Sequence, residues 1–156
     1  MAYIEAPHYH RPTCTDGPTV FLAGGITGVE RWHTQAAEAL QAHGVTVFNP
    51  NRADFPIHDP NAGWEQVSWE QHYLHAADVT LMWFPASDRT VTTQPIAMFE
   101  LGQALGEGRR IVVGADANYP REPDVRMLCQ LNRSGMPVFS TLADTLAATV
   151  AAVTAG

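Results

Sequence analysis

Short apolar runs and helical patterns alternate along this chain. Five runs have the apolar, β-branched character of buried strands, and they cover residues 19–23, 45–48, 78–84, 109–114 and 137–139. Around them, apolar residues recur every three or four positions, as in amphipathic helices, over residues 31–43, 64–77, 95–106, 123–133 and 141–153. Parallel strands joined by helices require right-handed crossovers. The pattern therefore predicts a single flavodoxin-like or Rossmann-like α/β domain, with a five-stranded parallel sheet and helices on both faces.

The first 18 residues do not share this pattern. They contain Pro7, Pro12, Gly17 and Pro18 without a sustained periodicity. We therefore expect residues 1–18 to form an extended arm that lies on the domain or on a neighbouring subunit. The domain itself is expected to span residues 19–156.

Composition and charge narrow the class of ligand. The 156 residues are 46% apolar and 16% charged, which suits one compact domain. Sixteen acidic residues and nine basic ones give a net charge of −7 without a basic run, which argues against binding to nucleic acid and favours a small ligand. No apolar run reaches the roughly eighteen residues of a membrane span, and the N-terminus lacks a basic segment followed by an apolar one. We expect a cytoplasmic protein that does not contact a membrane.

The cysteines and histidines predict neither a disulfide nor a metal site. Cys14 and Cys129 are too few for a disulfide framework, so we expect two free thiols. His8, His10 and Cys14 share the arm, but no fourth ligand follows at the spacing of a metal site. We predict that the protein uses no metal and no organic cofactor.

One acid interrupts the apolar pattern of the third predicted helix. Pro95 marks the first turn, and Glu100 follows among the residues expected to form the buried stripe, which are Ile96, Met98, Phe99, Leu101 and Leu105. Glu100 is either an acid that points to solvent and is stabilised by the helix dipole, or a catalytic carboxylate. The second interpretation agrees with the position of Glu100, because ligand crevices in open α/β sheets lie beyond the carboxyl ends of the strands.

A glycine turn follows the first predicted strand. It reads Gly24-Gly25-Ile26-Thr27-Gly28 and leads into a helix. Glycines let backbone N–H groups approach a ligand closely, and a helix N-terminus favours anions or hydroxyl oxygens. The spacing does not match the dinucleotide fingerprint, and a tight turn without a ligand is an equally open interpretation.

The loop after the second predicted strand is long for a compact α/β unit. Within it, Asn51, Arg52 and Asp54 are candidates to orient a ligand, while Trp64 and Trp69 are candidates to stack on a flat base. Alternatively, Arg52 and Asp54 pair with each other and both tryptophans are core anchors.

The second predicted helix carries one acid of interest, Glu70, beside His72 and His75. Glu70 and His75 are five positions apart and do not share a helical face, so we assign the histidines no role. Asp78, which begins the central strand, is expected chiefly to form local hydrogen bonds.

Three short segments in this order resemble the nucleoside 2-deoxyribosyltransferase-like family, whose relatives include nucleotide N-glycoside hydrolases. They are Val20-Phe-Leu-Ala-Gly-Gly-Ile26, the acid Glu70 eight residues before Asp78, and Phe99-Glu-Leu-Gly102. The resemblance covers about residues 19 to 114. It implies that Glu100 is the nucleophile that attacks the anomeric carbon. It also implies that Glu70, where the family usually has an aspartate, contacts the base and helps to protonate it.

Two residues depart from the family pattern. Phe21 replaces a tyrosine whose hydroxyl helps to position the nucleophile. Gln94 replaces an aspartate that holds a sugar 5′-hydroxyl or a serine that accommodates a 5′-phosphate, and because an amide can donate or accept, it leaves the choice open. The substrate-binding residues expected from the resemblance and the loops are Phe21, Gly24, Gly25, Ile26, Asn51, Arg52, Trp64, Asp78, Gln94 and Met98.

The resemblance and the chemistry together predict cleavage or transfer of the N-glycosidic bond of a (2′-deoxy)nucleoside or its monophosphate. One carboxylate can capture an oxocarbenium-like centre as a glycosyl-enzyme while a second group protonates the leaving base. We expect base exchange, with hydrolysis of a nucleoside 5′-monophosphate or a non-catalytic nucleotide-binding module as alternatives. We also expect a homo-oligomer, formed through apolar helix faces around Met98, Leu105 and Met127.

Overall fold

A computed structural model describes residues 2–11 and 13–155, so Met1, Pro12 and Gly156 lie outside the account that follows. The sheet in this range has six strands in the order β1-β3-β2-β4-β5-β6, and every neighbouring pair is parallel. The strands are β1 (Tyr3–Glu5), β2 (Thr19–Gly24), β3 (Thr46–Asn49), β4 (Val79–Phe84), β5 (Ile111–Ala115) and β6 (Val138–Phe139). The predicted α/β class is confirmed, with six strands instead of five.

The additional strand comes from the segment expected to be an arm. Tyr3 and Glu5 of β1 pair with β3 in parallel register, and Ile4 between them is buried. Three residues are too few to show the alternation by which a strand is detected in a sequence. The chain beyond β1 is also held against its own domain, because the Trp69 Nε1–H donates to the His8 carbonyl at 2.8 Å.

Over residues 2–11 and 13–155, five helices cover the two faces of the sheet. They are α1 (His33–Gln41), α2 (Ala62–Ala76), α3 (Pro95–Gly106), α4 (Glu122–Asn132) and α5 (Leu142–Thr154). Along β2 the side chains alternate, so that Phe21 packs with α2, α3 and α4 while Leu22 packs with α1 and α5. No helix in the described part of the chain is long and apolar enough to span a membrane.

The buried face of α3 differs from the predicted stripe. Leu101 and Leu105 are buried as expected, but Ile96 is 65% exposed and Phe99 is 64% exposed. The residues that pack toward the sheet are instead Ala97, Leu101, Ala104 and Leu105. Small side chains share this face because they let α3 approach the sheet closely, whereas a reading of the apolar residues alone gives more weight to Ile96 and Phe99.

Candidate active site

A cleft of about 530 Å³ opens at the carboxyl ends of β2 and β3, beside the N-terminus of α3. This is the edge at which open α/β sheets place their ligands. The polar residues lining it include both candidate carboxyl groups, and they are Thr27, Asn51, Arg52, Gln66, Glu70, Thr92, Gln94 and Glu100. Glu100 and Glu70 are therefore brought together from two different helices, α3 and α2.

The glycine turn forms part of the cleft and is packed closely against its neighbours. Gly24 has φ +149°, and a Cβ placed there would lie 2.0 Å from the Trp83 carbonyl oxygen. A Cβ on Gly25 would lie 2.4 Å from Gln94 Oε1. Both positions thus require glycine for the packing of the protein itself. With Ile26 they line the cleft, so the two interpretations of the turn are compatible.

Gln94 lies at the N-cap of α3 in an uncommon conformation. Its φ of 51° and ψ of 55° place it in the left-handed region, which non-glycine residues seldom adopt. The side chain is buried, and its Nε2 donates to the Pro85 carbonyl at 2.8 Å and to Ser87 Oγ at 3.2 Å. Oε1 has no hydrogen-bond partner among the described residues. Because both amide hydrogens are used within the protein, only an acceptor remains for a ligand.

Gln66 holds the carboxyl group of Glu70. Its Nε2 donates to Glu70 Oε1 at 2.8 Å and to the Pro50 carbonyl at 2.7 Å, which joins α2 to the loop after β3. Burial raises the pKa of Glu70, and the hydrogen bond from Gln66 opposes that rise in part. Because Oε1 accepts from Gln66, Oε2 is the oxygen of Glu70 that is available to carry a proton.

Glu100 is only 6% exposed, so it does not point to solvent as one interpretation of the sequence expected. Burial and the nearby charge of Glu70 raise its pKa to about 8, while the charge of Arg109 acts in the opposite direction. Within residues 2–11 and 13–155, no group donates a hydrogen bond to the Glu100 carboxyl. Phe21, at the position where the family pattern has tyrosine, is fully buried against Trp69 and cannot donate.

The ionisation of Glu100 depends on that of Glu70, because the charge of Glu70 adds to burial in raising the pKa of Glu100. Ionising both in a poorly hydrated cleft is unfavourable, so near neutral pH the pair retains a proton. A pair that holds one proton and one negative charge has both an acid and a nucleophile available. Perturbed carboxyl groups of this kind are concentrated at functional sites.

A hydrogen-bond network supports the loop that carries Asn51 and Arg52. The Asn51 N–H donates to Asn49 Oδ1 at 2.9 Å, and Ala53 N–H donates to Glu5 Oε1 at 2.7 Å. The side chain of Asn51 lies 3.3 Å from His33 Nδ1. The strand β1, through Glu5, thus helps to shape this wall of the cleft.

Arg52 does not pair with Asp54, as the sequence allowed. Its Nη1 donates to Glu65 Oε2 at 3.3 Å, and its guanidinium lies 5.4 Å from the centroid of the Phe55 ring. Glu65 is one turn before Trp69 on α2, so Arg52 ties the loop to that helix. Phe55 also lines the cleft and offers a flat apolar surface.

Four of the residues that were expected to bind substrate do not line the cleft. They are Phe21, Trp64, Asp78 and Met98. Phe21 belongs to the core, and Met98 is half-buried against the same core. Trp64 is 81% exposed on α2. Asp78 lies at the amino end of β4, where Thr19 N–H and Oγ1–H donate to its carboxylate at 2.8 and 2.7 Å. Its hydrogen bonds are structural, but they join β4 to β2 and are not local in the sequence.

Of the two tryptophans that were expected to stack on a base, Trp69 cannot do so, whereas stacking by the exposed Trp64 stays a prediction. Trp69 has no exposed surface and packs with Phe21 and Tyr73 in the core, so it is an anchor. The sequence analysis missed Gln66, Phe55, Val67 and Thr92, which all line the cleft. Gln66 had a usable signal, because it lies four residues before Glu70 and therefore on the same helical face.

The fold and the cleft define a doubly wound α/β protein with two coupled carboxyl groups in a ligand-sized cavity. The sequence profile of a known family, described as nucleoside 2-deoxyribosyltransferase like, matches residues 17–119. This range covers most of the chain and includes every residue that lines the cleft. The chain therefore belongs to the nucleoside 2-deoxyribosyltransferase-like family, as its motifs predicted. A comparison with curated proteins gave no match.

Proposed function

We propose that this protein is an enzyme that breaks the N-glycosidic bond of a 2′-deoxynucleoside and transfers the sugar to a second base. Family membership supports an activity on nucleosides. The observation that carries the proposal is the presence of Glu100 and Glu70 in one cleft, where the charge of Glu70 raises the pKa of Glu100. Cleavage of a glycosidic bond with a covalent intermediate requires one carboxylate and one carboxylic acid.

In the first half of the reaction the C1′–N bond breaks as a C1′–O bond forms to the carboxylate of Glu100. The electron pair of the broken bond passes to the base, and the base takes a proton from Oε2 of Glu70. In the second half, a nitrogen of the incoming base attacks C1′, Glu100 leaves as the carboxylate, and the incoming base returns its proton to Glu70. The two halves mirror each other, so one acid and one nucleophile serve both.

The positive charge that develops on the sugar lowers the pKa of Glu100, which is high in the free protein. An oxocarbenium-like centre beside the carboxyl group favours its ionised form, just as any nearby cation would. The proton of the pair then resides on Glu70 when the base departs. Arg109 supports the same distribution, since its charge already lowers the pKa of Glu100.

Gln94 favours a nucleoside over its 5′-monophosphate. Its amide hydrogens are taken by Pro85 and Ser87, so the side chain offers a carbonyl oxygen that suits a hydroxyl donor. A phosphate dianion presents acceptors only and gains nothing from that oxygen. Arg52, the one basic side chain that lines the cleft within the described residues, is already paired with Glu65.

Transfer to a base instead of water is proposed without the tryptophans that first suggested it. What supports transfer is the apolar surface of Phe55 and Val67, which line the cleft together with the Gln66–Glu70 pair and offer a second base a place to pack. A second candidate, a non-catalytic nucleotide-binding module, is favoured by one observation. This is the lack of a hydrogen-bond donor to Glu100 among the described residues, where Phe21 replaces the tyrosine of the family pattern.

The test is a covalent trap. The protein is incubated with a 2′-deoxy-2′-fluoro nucleoside, whose fluorine slows breakdown of the glycosyl-enzyme, and is then digested for mass spectrometry. A sugar on Glu100 with release of free base supports the proposal. Ligand-induced stabilisation with neither base release nor label would instead identify a binding module. For an active protein, a donor nucleoside with a second base distinguishes the exchanged product from free sugar, and free sugar alone would make it a hydrolase.

A further inference from the structure

Asn51 and His33 form a partly buried contact at the wall of the cleft. His33, the first residue of α1, is only 1% exposed, and its Nδ1 lies 3.3 Å from Asn51 Nδ2. Burial and the charge of Arg31 lower the pKa of His33 to about 3, so the ring is neutral at physiological pH. With the amide nitrogen of Asn51 facing the ring, the neutral imidazole accepts at Nδ1, and its buried Nε2 has no hydrogen-bond partner among the described residues.

This contact fixes which end of the Asn51 amide is available to a ligand. With Nδ2 donating to His33, the carbonyl oxygen Oδ1 is left without a hydrogen-bond partner in the described part of the chain. Asn51 lines the cleft. The backbone of Asn51 is held as well, because its N–H donates to Asn49 Oδ1. The side chain therefore offers an oriented acceptor.

The acceptor lies on the same wall as Glu70. Gln66 Nε2 donates both to the carbonyl of Pro50, the residue before Asn51, and to Glu70 Oε1. These two oxygens thus bind one nitrogen, which places the start of the Asn51 loop next to the carboxyl group of Glu70. Under the proposed function the leaving base must reach the proton of Glu70, so its edge also comes to Asn51.

We propose that Asn51, oriented by His33, makes the site selective for bases that carry an exocyclic amine. A protonated Glu70 and the Asn51 carbonyl present a donor and an acceptor, which match a ring nitrogen and an adjacent amine. Adenine and cytosine carry that pair of groups. Hypoxanthine and uracil carry a carbonyl oxygen in place of the amine, and that oxygen would face Asn51 Oδ1 with no hydrogen between them. This inference rests on the proposed function and names its substrate class.

The test uses substrates that differ only by deamination. The ratio of kcat/KM is measured for 2′-deoxyadenosine against 2′-deoxyinosine and for 2′-deoxycytidine against 2′-deoxyuridine. We expect each ratio to fall by about 10- to 100-fold in Asn51→Leu, which is the usual effect of losing one buried hydrogen bond. Comparing the variant with the natural protein removes the intrinsic difference in leaving-group reactivity.

His33 is a positioning residue, and its variants separate orientation from packing. His33→Phe removes the acceptor, so the ratios should fall with it. His33→Asn places an amide oxygen near the position of Nδ1, so it should restore them, although both variants lose the imidazole. Thermal unfolding of each variant verifies that it is folded, and the ratio of two substrates is insensitive to the fraction of active protein.

Binding of free adenine and free hypoxanthine, measured by calorimetry on the natural protein, separates this inference from the proposed function. Cleavage without a preference that depends on Asn51 would overturn the inference and leave the function standing. Preferential binding of adenine without any cleavage would overturn the function and support the base site. Neither cleavage nor discrimination between the two bases would overturn both.

Discussion

Gln94 lies directly over Gly25, so that a β-carbon on residue 25 would meet Oε1 at 2.4 Å. The Gln94 side chain cannot move away without losing hydrogen bonds, because its Nε2 donates to the Pro85 carbonyl and to Ser87 Oγ. We expect Gly25→Ala to cost about 1–3 kcal/mol in the free energy of unfolding and to raise KM, since Gln94 must move.

The matched control for Gly25 is Gly102→Ala in α3, where a β-carbon meets nothing within 4 Å. Alanine there should leave stability unchanged or raise it by up to about 1 kcal/mol, because glycine is a poor helix former. Denaturant unfolding of both variants decides the matter. Equal stabilities would mean that the packing of Gln94 on Gly25 carries no energy.

Glu100→Gln should abolish turnover and stabilise the protein at alkaline pH. The folded-state pKa of about 8 lies above the ordinary value of 4.5, so the folded protein binds this proton more tightly than the unfolded chain. The associated stability is fully present below pH 4.5 and is lost as the pH rises toward 8. Glutamine cannot ionise, so the variant does not lose this stability. Its melting temperature should exceed that of the natural protein at pH 8 by several degrees, at about 2–4 °C per kcal/mol, and the two proteins should melt at the same temperature at pH 4.5.

Glu38→Gln provides the comparison for that experiment. Glu38 is an exposed carboxyl on α1, far from the cleft, and its replacement should change the melting temperature by less than about 1 °C at either pH. Retention of near-natural activity by Glu100→Gln would refute its assignment as nucleophile.

The dependence of kcat/KM on pH should be bell-shaped, with an alkaline limb near pH 8. Above that limb both carboxyl groups are ionised and no acid remains for the base, because the last proton leaves with the pKa of about 8. At low pH both groups are protonated and no nucleophile remains. Initial rates with a buffer series of constant ionic strength give the profile, and a rate that keeps rising past pH 9 would contradict the shared-proton account.

Glu70→Gln should slow substrates with poor leaving bases by about 100-fold or more, while activated nucleosides should lose much less. Its pH profile with an activated substrate should lose the alkaline limb. The one remaining limb should report the ionisation of Glu100 and lie below pH 8, because the charge of Glu70 no longer raises the pKa of Glu100. Equal losses for both substrate types would leave Glu70 as a binding or structural residue.

Of the residues around which the sequence suggested a homo-oligomer surface, Met127 is exposed and Met98 is half-buried. Leu105 is buried in its own core, whereas Ile96 and Phe99 of α3 present large exposed apolar side chains. We predict that Phe99→Glu lowers the molar mass measured by light scattering, while the same change at Leu131, an exposed residue of α4, does not. A natural protein that is monomeric and fully active at working concentration would refute the prediction.

The order of elements could be predicted from the sequence because each strand and helix has its own local period. Glu100 was identified for a physical reason as well, since an acid within an apolar helix next to a sheet edge is seldom accidental. Strand β1 was missed because three residues carry too little periodicity, and its pairing with β3 depends on residues more than forty positions away.

Orientation around a helix was the other limit. The faces of α2 and α3 are set by close packing on the sheet, so Trp69 became a core anchor and Trp64 remained exposed although both are tryptophans on the same helix. The contact between Asn51 and His33 joins the loop after β3 to the first residue of α1 and left no spacing signal. Local sequence patterns predict which helices and strands form, but tertiary packing determines which side chains come into contact.

The edge strand β1 has a practical consequence for how this protein is produced. Glu5 holds the loop of Arg52 through Ala53, so a peptide fused ahead of Tyr3 begins beside a strand that shapes the cleft. The last helix, α5, packs with α1 on the face of the sheet opposite to α2, α3 and α4. The residues around it do not line the cleft. An affinity tag or a fluorescent partner is therefore better attached after α5, where it leaves the geometry of substrate entry undisturbed.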